Sequence, residues 1–96
     1  MNFALNITLA AREDTLDAVR YYENIRPGLG DEFLDELEER YSAIGENPYY
    51  FSYIDSQNII RDVVLNRFPY VVIYKIEQHH VTILSVHNCY QKPLSF

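Results

Sequence analysis

Cysteine is nearly absent: Cys89 is the only one in 96 residues, so no internal disulfide can form and a secreted, disulfide-stapled scaffold is left without support. Its expected role is that of a small, partly buried residue, although His87, two positions away on an extended strand, would share its side. Glycine is scarce as well, with three in all. Gly28-Leu29-Gly30 is explained by chain reversal between two helices, not by a phosphate-binding loop. No apolar run approaches the roughly 18 residues a membrane span requires, and no membrane partner is expected. The opening Met1-Asn2-Phe3-Ala4-Leu5 lacks the basic lead of a secretory signal, so a cytoplasmic location is expected.

Positive charge is the other shortage. Eight Lys and Arg stand against fourteen Asp and Glu, a net charge of −6. The imbalance is concentrated: residues 1–50 carry eleven acidic and four basic side chains, whereas residues 51–96 carry three and four. Attraction of the whole protein to nucleic acid is therefore not expected, and any phosphate contact must be local, made by Arg61, Arg67, Lys75 and Lys92.

What is present is a packed-protein composition, 48% hydrophobic and 15% aromatic, sized for one domain over residues 1–96. Phe3 to Leu9 alternates apolar and polar residues with the period of two expected of a strand. From Ala10 the period lengthens, and Leu16, Val19, Tyr22 and Ile25 outline a first helix ending near Arg26, before Pro27-Gly28. A second helix opens at Gly30-Asp31 with Phe33, Leu34, Leu37, Tyr41 and Ile44 on its apolar stripe, and stops at Gly45 and Asn47-Pro48. Its other face, Asp35, Glu36, Glu38, Glu39 and Arg40, reads as a solvated helix surface or as a docking patch for a basic partner.

Tyr49-Tyr50-Phe51-Ser52-Tyr53 places four aromatics in five residues, suited either to stacking on bases or to capping one end of the core. Asp55 to Asn58 forms a polar turn. Three strands follow, Ile59 to Leu65, Pro69 to Ile76 and Val81 to Val86, joined by links short enough to make an antiparallel meander. The expected fold is α+β: an N-terminal strand, a two-helix hairpin, and the meander in one sheet, with one face covered by the helices and the other free.

His79, His80 and His87 do not supply convergent metal ligands, and neither a metal nor another cofactor is expected. Ser85 and Ser95 sit in no nucleophile elbow. On strand alternation Arg61, Val63 and Leu65 share one side, as do Val71, Ile73 and Lys75, and Val81, Ile83, Ser85 and His87. Which sides coincide is open at this point. Arg61 and Lys75 either converge with the C-terminal segment on a small anion-binding pocket or remain separate surface charges.

Gly28-Leu29-Gly30-x-x-Phe33-Leu34, Asn47-Pro48, Arg61-x5-Arg67-Phe68-Pro69-Tyr70-x-x-x-Tyr74 and Val86-x6-Pro93, in this order and spacing, resemble the RelE/ParE superfamily. The resemblance covers nearly the whole chain and implies a toxin of a bacterial type II toxin–antitoxin system, held inactive by a cognate antitoxin. It implies no promoter DNA binding by the toxin alone. A ParE-like member poisons DNA gyrase. A RelE-like member cleaves mRNA on the ribosome without a metal, which would give Arg61, Lys75 and Tyr90 catalytic roles. Either target would be contacted through Arg61, Arg67, Lys75, Tyr90 and Lys92. Two departures favour the gyrase branch: the acidity of the chain, and a C-terminal segment with Lys92 as its only cation, where Tyr90 stands at a position usually basic or histidine. A tyrosine donates protons but is a poor base unless nearby cations depress its pKa. A third expectation is a degenerate, non-toxic partner that only binds an antitoxin.

Overall fold

In the computed structural model the described residues are 2–90, so Lys92 and Pro93 lie outside them. The chain runs β1 (Ala4–Ile7), α1 (Leu9–Ile25), α2 (Leu29–Glu46), β2 (Ile60–Val64), β3 (Tyr70–Glu77) and β4 (His80–Asn88). One sheet orders its strands β1-β4-β3-β2, with β1 parallel to β4 and the other pairs antiparallel. This is the expected α+β arrangement. Among the described residues no helix is long and apolar enough to cross a membrane.

Thr8 ends the first strand earlier than its alternation suggests. Its hydroxyl accepts a hydrogen bond from Ala11 N at 3.2 Å and donates to Ile83 O at 2.8 Å, so one residue caps α1 and ties its start to β4. Leu9 thereby leaves the strand and stands 71% exposed. Helix α1 also turns differently from the expected stripe. Ala11, Ala18 and Tyr22 are its buried residues, while Leu16 and Ile25 are exposed. Alanines allow the helix to lie close to the sheet, which moves its larger aliphatic side chains to the flanks.

The reversal between the helices depends on backbone space. Gly28 adopts a φ of 90°, which disfavours any residue with a Cβ. A Cβ on Gly30 would lie 3.0 Å from Val19 O. The Glu23 carboxylate accepts from Gly28 N and Gly30 N at 3.0 Å and completes the turn at the α2 N-terminus, where negative charge is favoured.

The core lies between the helix pair and one sheet face. Phe33, Leu37 and Ile44 of α2 meet Val63, Val72, Tyr74, Val81, Ile83 and Val86. One end of this layer is aromatic: Tyr22 stacks on Phe33 with planes 25° apart, and Phe68 and Tyr70 meet these rings edge to face, with centroids as close as 4.7 Å for Tyr22–Phe68. Between Ile73 and Tyr74 the β3–β4 register shifts, and Asp14 of α1 accepts from Ser85 Oγ and Val86 N, each at 3.0 Å, beside the irregularity.

Glu36 departs from the expected acidic face. It is buried, and its carboxylate accepts from Asn66 N at 2.6 Å and Arg67 N at 3.1 Å while pairing with Arg40 at 3.4 Å. A helical repeat marks Glu36 as polar and therefore outward. It cannot show that the β2–β3 turn brings two unpaired backbone donors down onto that position. Glu36→Ala strands those donors and is expected to cost about 2 kcal/mol of unfolding free energy in a urea titration, with the fold retained.

Candidate functional site

Strand register determines which of the expected site residues share a surface. Ile60 is paired with Lys75, and Arg61 with Tyr74. Directly opposed residues project to the same face, so Arg61 lies on the Tyr74 side with the helices and Lys75 lies on the open side. The two cations sit at the same level of adjacent strands and point in opposite directions. A single patch containing both is therefore absent.

Arg61 is buried beneath the aromatic segment. Its Nη1 donates to Phe51 O at 2.5 Å and Tyr49 O at 3.2 Å, and its guanidinium lies 3.9 Å from the Tyr53 ring centroid. Tyr74, its ladder partner, donates its hydroxyl to Pro48 O at 2.6 Å. Burial pushes the Tyr74 phenol up to about 12, against the pull of the Arg61 charge. Residues 48–53 are thus held from below by one guanidinium and one phenol. Tyr53 also bridges to Arg61 through the backbone, covering part of the β2 edge. Of the four aromatics, Phe51 packs against the core while Tyr49, Tyr50 and Tyr53 remain exposed.

The open face is not cationic. Lys75 Nζ is 3.0 Å from Glu77 Oε1, and Glu77 also takes a short hydrogen bond from the Thr82 hydroxyl and faces His80 at 3.4 Å. The Thr82 hydrogen bond, then Lys75, holds the Glu77 carboxyl below its ordinary range. Asp62, two residues from Ile60 on the same side of β2, has its carboxyl pushed up by burial.

Arg67 lies in the β2–β3 turn, where its Nη2 pairs with Glu32 of α2 at 2.6 Å, and Arg26 reaches the same carboxylate at 3.0 Å. Hydrogen bonds from Arg67 and then Arg26 lower the Glu32 pKa. Tyr90 is at that end of the sheet, just beyond Asn88, which pairs with Tyr70. Five residues of strand separate Tyr70 from Lys75, about 17 Å. Lys92 lies outside the described residues. Of the expected set, the fold keeps Arg67 and Tyr90 at one end, leaves Lys75 on the open face near the other, and buries Arg61.

Two concavities were missed in the sequence. The first, about 490 Å³, lies between α1, α2 and β1 and is lined by Ile7, Arg12, Thr15, Leu16, Leu34, Leu37, Glu38 and Tyr41. It is largely apolar, and the Tyr41 hydroxyl is buried beside it without a hydrogen-bond partner among the described residues. Burial raises the Tyr41 phenol to about 12. Leu16 and Leu34 carried the signal, but apolar residues at helical spacing are equally expected of a core stripe. The second, also about 490 Å³, is bounded by Tyr21, Tyr22, Tyr70 and Tyr90 with Asp17 and Asn88. Its residues come from three separated stretches, and no local pattern joins them.

The sequence matches the family described as ParE toxin of type II toxin-antitoxin system, parDE, over residues 5–91. Among solved structures, the fold is similar to a chain of the chromosomal ParDE TA system from P. aeruginosa, with a TM-score of 0.79 and 15% identity, covering 90% of this chain and 95% of that one. At that identity the likeness is one of fold. No curated protein sequence gave a significant match.

Removing the Arg61 side chain leaves the Tyr49 and Phe51 carbonyls without their donor. Arg61→Ala is expected to lower stability by about 3 kcal/mol and to speed hydrogen exchange in residues 49–54 more than in β4, which amide exchange measured by mass spectrometry reads directly.

Proposed function

Because the chain belongs to the ParE toxin family of type II toxin–antitoxin systems, we propose that it arrests growth by binding DNA gyrase and is neutralised by a cognate antitoxin. The family match across residues 5–91 carries this reading. The disposition of the cations favours a binding mode over RNA cleavage. Acid–base cleavage of RNA needs proton-transferring groups gathered around one phosphate, whereas Arg61 is occupied by loop carbonyls and Lys75 by Glu77. In this reading Arg67, Lys75, Tyr90 and Lys92 contact the target, and Arg61 acts indirectly by holding residues 48–53 in place.

The cleft between α1 and α2 is the seat we assign to the antitoxin. Its apolar walls and exposed Leu16 suit the apolar face of a partner helix, with Arg12 and Glu38 available to orient it.

Induced expression without the antitoxin is expected to stop bacterial growth and the purified protein to inhibit gyrase supercoiling, with no new cuts in cellular mRNA by primer extension. Ribosome-dependent cuts that vanish in the Lys75→Ala and Tyr90→Ala variants would assign the chain to the nuclease branch. Normal growth with folded protein present would leave only an antitoxin-binding role. Leu16→Glu, at an exposed position, is expected to preserve growth arrest while weakening antitoxin capture at least tenfold by calorimetry, since it puts a charge into an apolar contact.

A further inference from the structure

The tyrosine-lined cleft at the Tyr90 end of the sheet has a chemistry of its own. Tyr21 and Tyr22, adjacent on α1, meet at 5.1 Å between centroids with their planes 80° apart, and Tyr70 stands 6.1 Å from Tyr22 at 65°. Tyr22 is consumed by packing against Phe33 and Phe68. Tyr21 and Tyr90 keep exposed rings. Asn88 organises the rim, its Oδ1 accepting from Tyr90 N at 2.9 Å and its Nδ2 donating to the Tyr70 hydroxyl at 3.4 Å.

Among the described residues that line this cleft, the charged side chain is acidic. Asp17 lines it and makes no ion pair among the described residues. A smaller recess alongside is bounded by Asp14, Asp17, Tyr70, Val86 and Asn88. Burial is the main influence raising the Tyr22 phenol to about 12, and burial likewise raises Tyr70, with Asp14 and Asp17 adding to it. The Tyr22 and Tyr70 phenols are thus neutral at physiological pH. Electron-rich ring faces, phenol oxygens and a carboxylate around a partly enclosed space are the elements that hold an alkylguanidinium or alkylammonium group. Exposed Ile25 and the ring of Tyr21 offer apolar surface for the methylene stem of such a side chain.

We propose that this cleft is a binding site for one basic side chain, an arginine or lysine presented by a partner polypeptide. Charge complementarity supports that occupant: the N-terminal half, which supplies the α1 wall, carries eleven acidic side chains against four basic. The site is separate from the α1–α2 cleft; it shares Tyr90 with the target contacts proposed above, but it does not depend on whether that target is gyrase or the ribosome.

The test is an NMR titration of the purified chain with the capped tripeptide Gly-Arg-Gly, and in parallel with the same peptide carrying citrulline, which keeps the shape of arginine but not its charge. Shifts concentrated on the ring signals of Tyr21, Tyr70 and Tyr90, saturating with arginine and not with citrulline, are expected. Asp17→Asn is expected to weaken binding by about fivefold and Tyr21→Ala by about threefold; both positions are exposed, and an unchanged amide spectrum elsewhere verifies the fold. Equal shifts from the two peptides, or binding unchanged in Asp17→Asn, would overturn the proposal. Putrescine titrated as a third arm distinguishes the source: tighter binding of the free diamine than of the peptide would overturn a polypeptide occupant. Growth arrest is not part of the readout, so failure here leaves the toxin assignment standing, and a toxin that fails to arrest growth leaves this result intact.

Discussion

A strand offers alternate residues to opposite faces, and in this sheet the pairing of Ile60 with Lys75 decides which ones those are. From that register follow the burial of Arg61, the isolation of Lys75 with Glu77 on the open face, and the support of residues 48–53 from beneath. Slipping the register by one residue would exchange the two faces of β2, sending Val63 into solvent and Asp62 into the core. Val63 and Val72, opposed on the helix side, belong to the core that excludes this slip.

Several ionic side chains in this acidic protein serve the backbone before they serve the surface. Glu23 closes the turn between the helices, Asp14 accepts two donors beside the β3–β4 irregularity, Glu36 receives the β2–β3 turn, and Asp55 accepts from Ile59 N and Ile60 N as β2 begins. Arg61 performs the complementary task with carbonyls. Each partners backbone groups that the helices and ladders leave unmatched, locally at Glu23 and Asp55 and across long stretches of sequence at Glu36 and Asp14, and a buried backbone group without a partner is costly. The formal charge therefore overstates the acidity available to a partner on the α2 face, where Glu36 is spent, and leaves Asp17 prominent on α1.

Two surfaces emerge with different chemistry. The α1–α2 cleft is largely apolar, matching what an antitoxin would cover in the reading proposed. The tyrosine cleft is smaller, aromatic and anionic, suited to a single cationic head. Neither uses the cations on which the expected sheet-face pocket was built. An acidic toxin with sparse free cations is better equipped to bind proteins than to settle on a polyphosphate surface, because phosphate contacts draw on Lys and Arg.

The elements themselves were legible in the sequence: the alternation of Leu5 and Ile7, the apolar repeat of Phe33, Leu37 and Ile44, the breakers Pro27-Gly28 and Asn47-Pro48, and the short links of the meander all report local periodicity and local backbone limits. The motif order from Gly28 to Pro93 carried the family as well. Partnership across the sheet was not legible. Whether Arg61 and Lys75 share a face, whether Glu36 points to water, and whether Tyr21, Tyr70 and Tyr90 meet are set by register and by the approach of α1 to β4. Local sequence determined the elements because propensity and periodicity act within a few residues; tertiary structure alone decided the clefts and the fate of each charge, because those depend on contacts between segments up to some seventy residues apart, such as Asp14 with Val86.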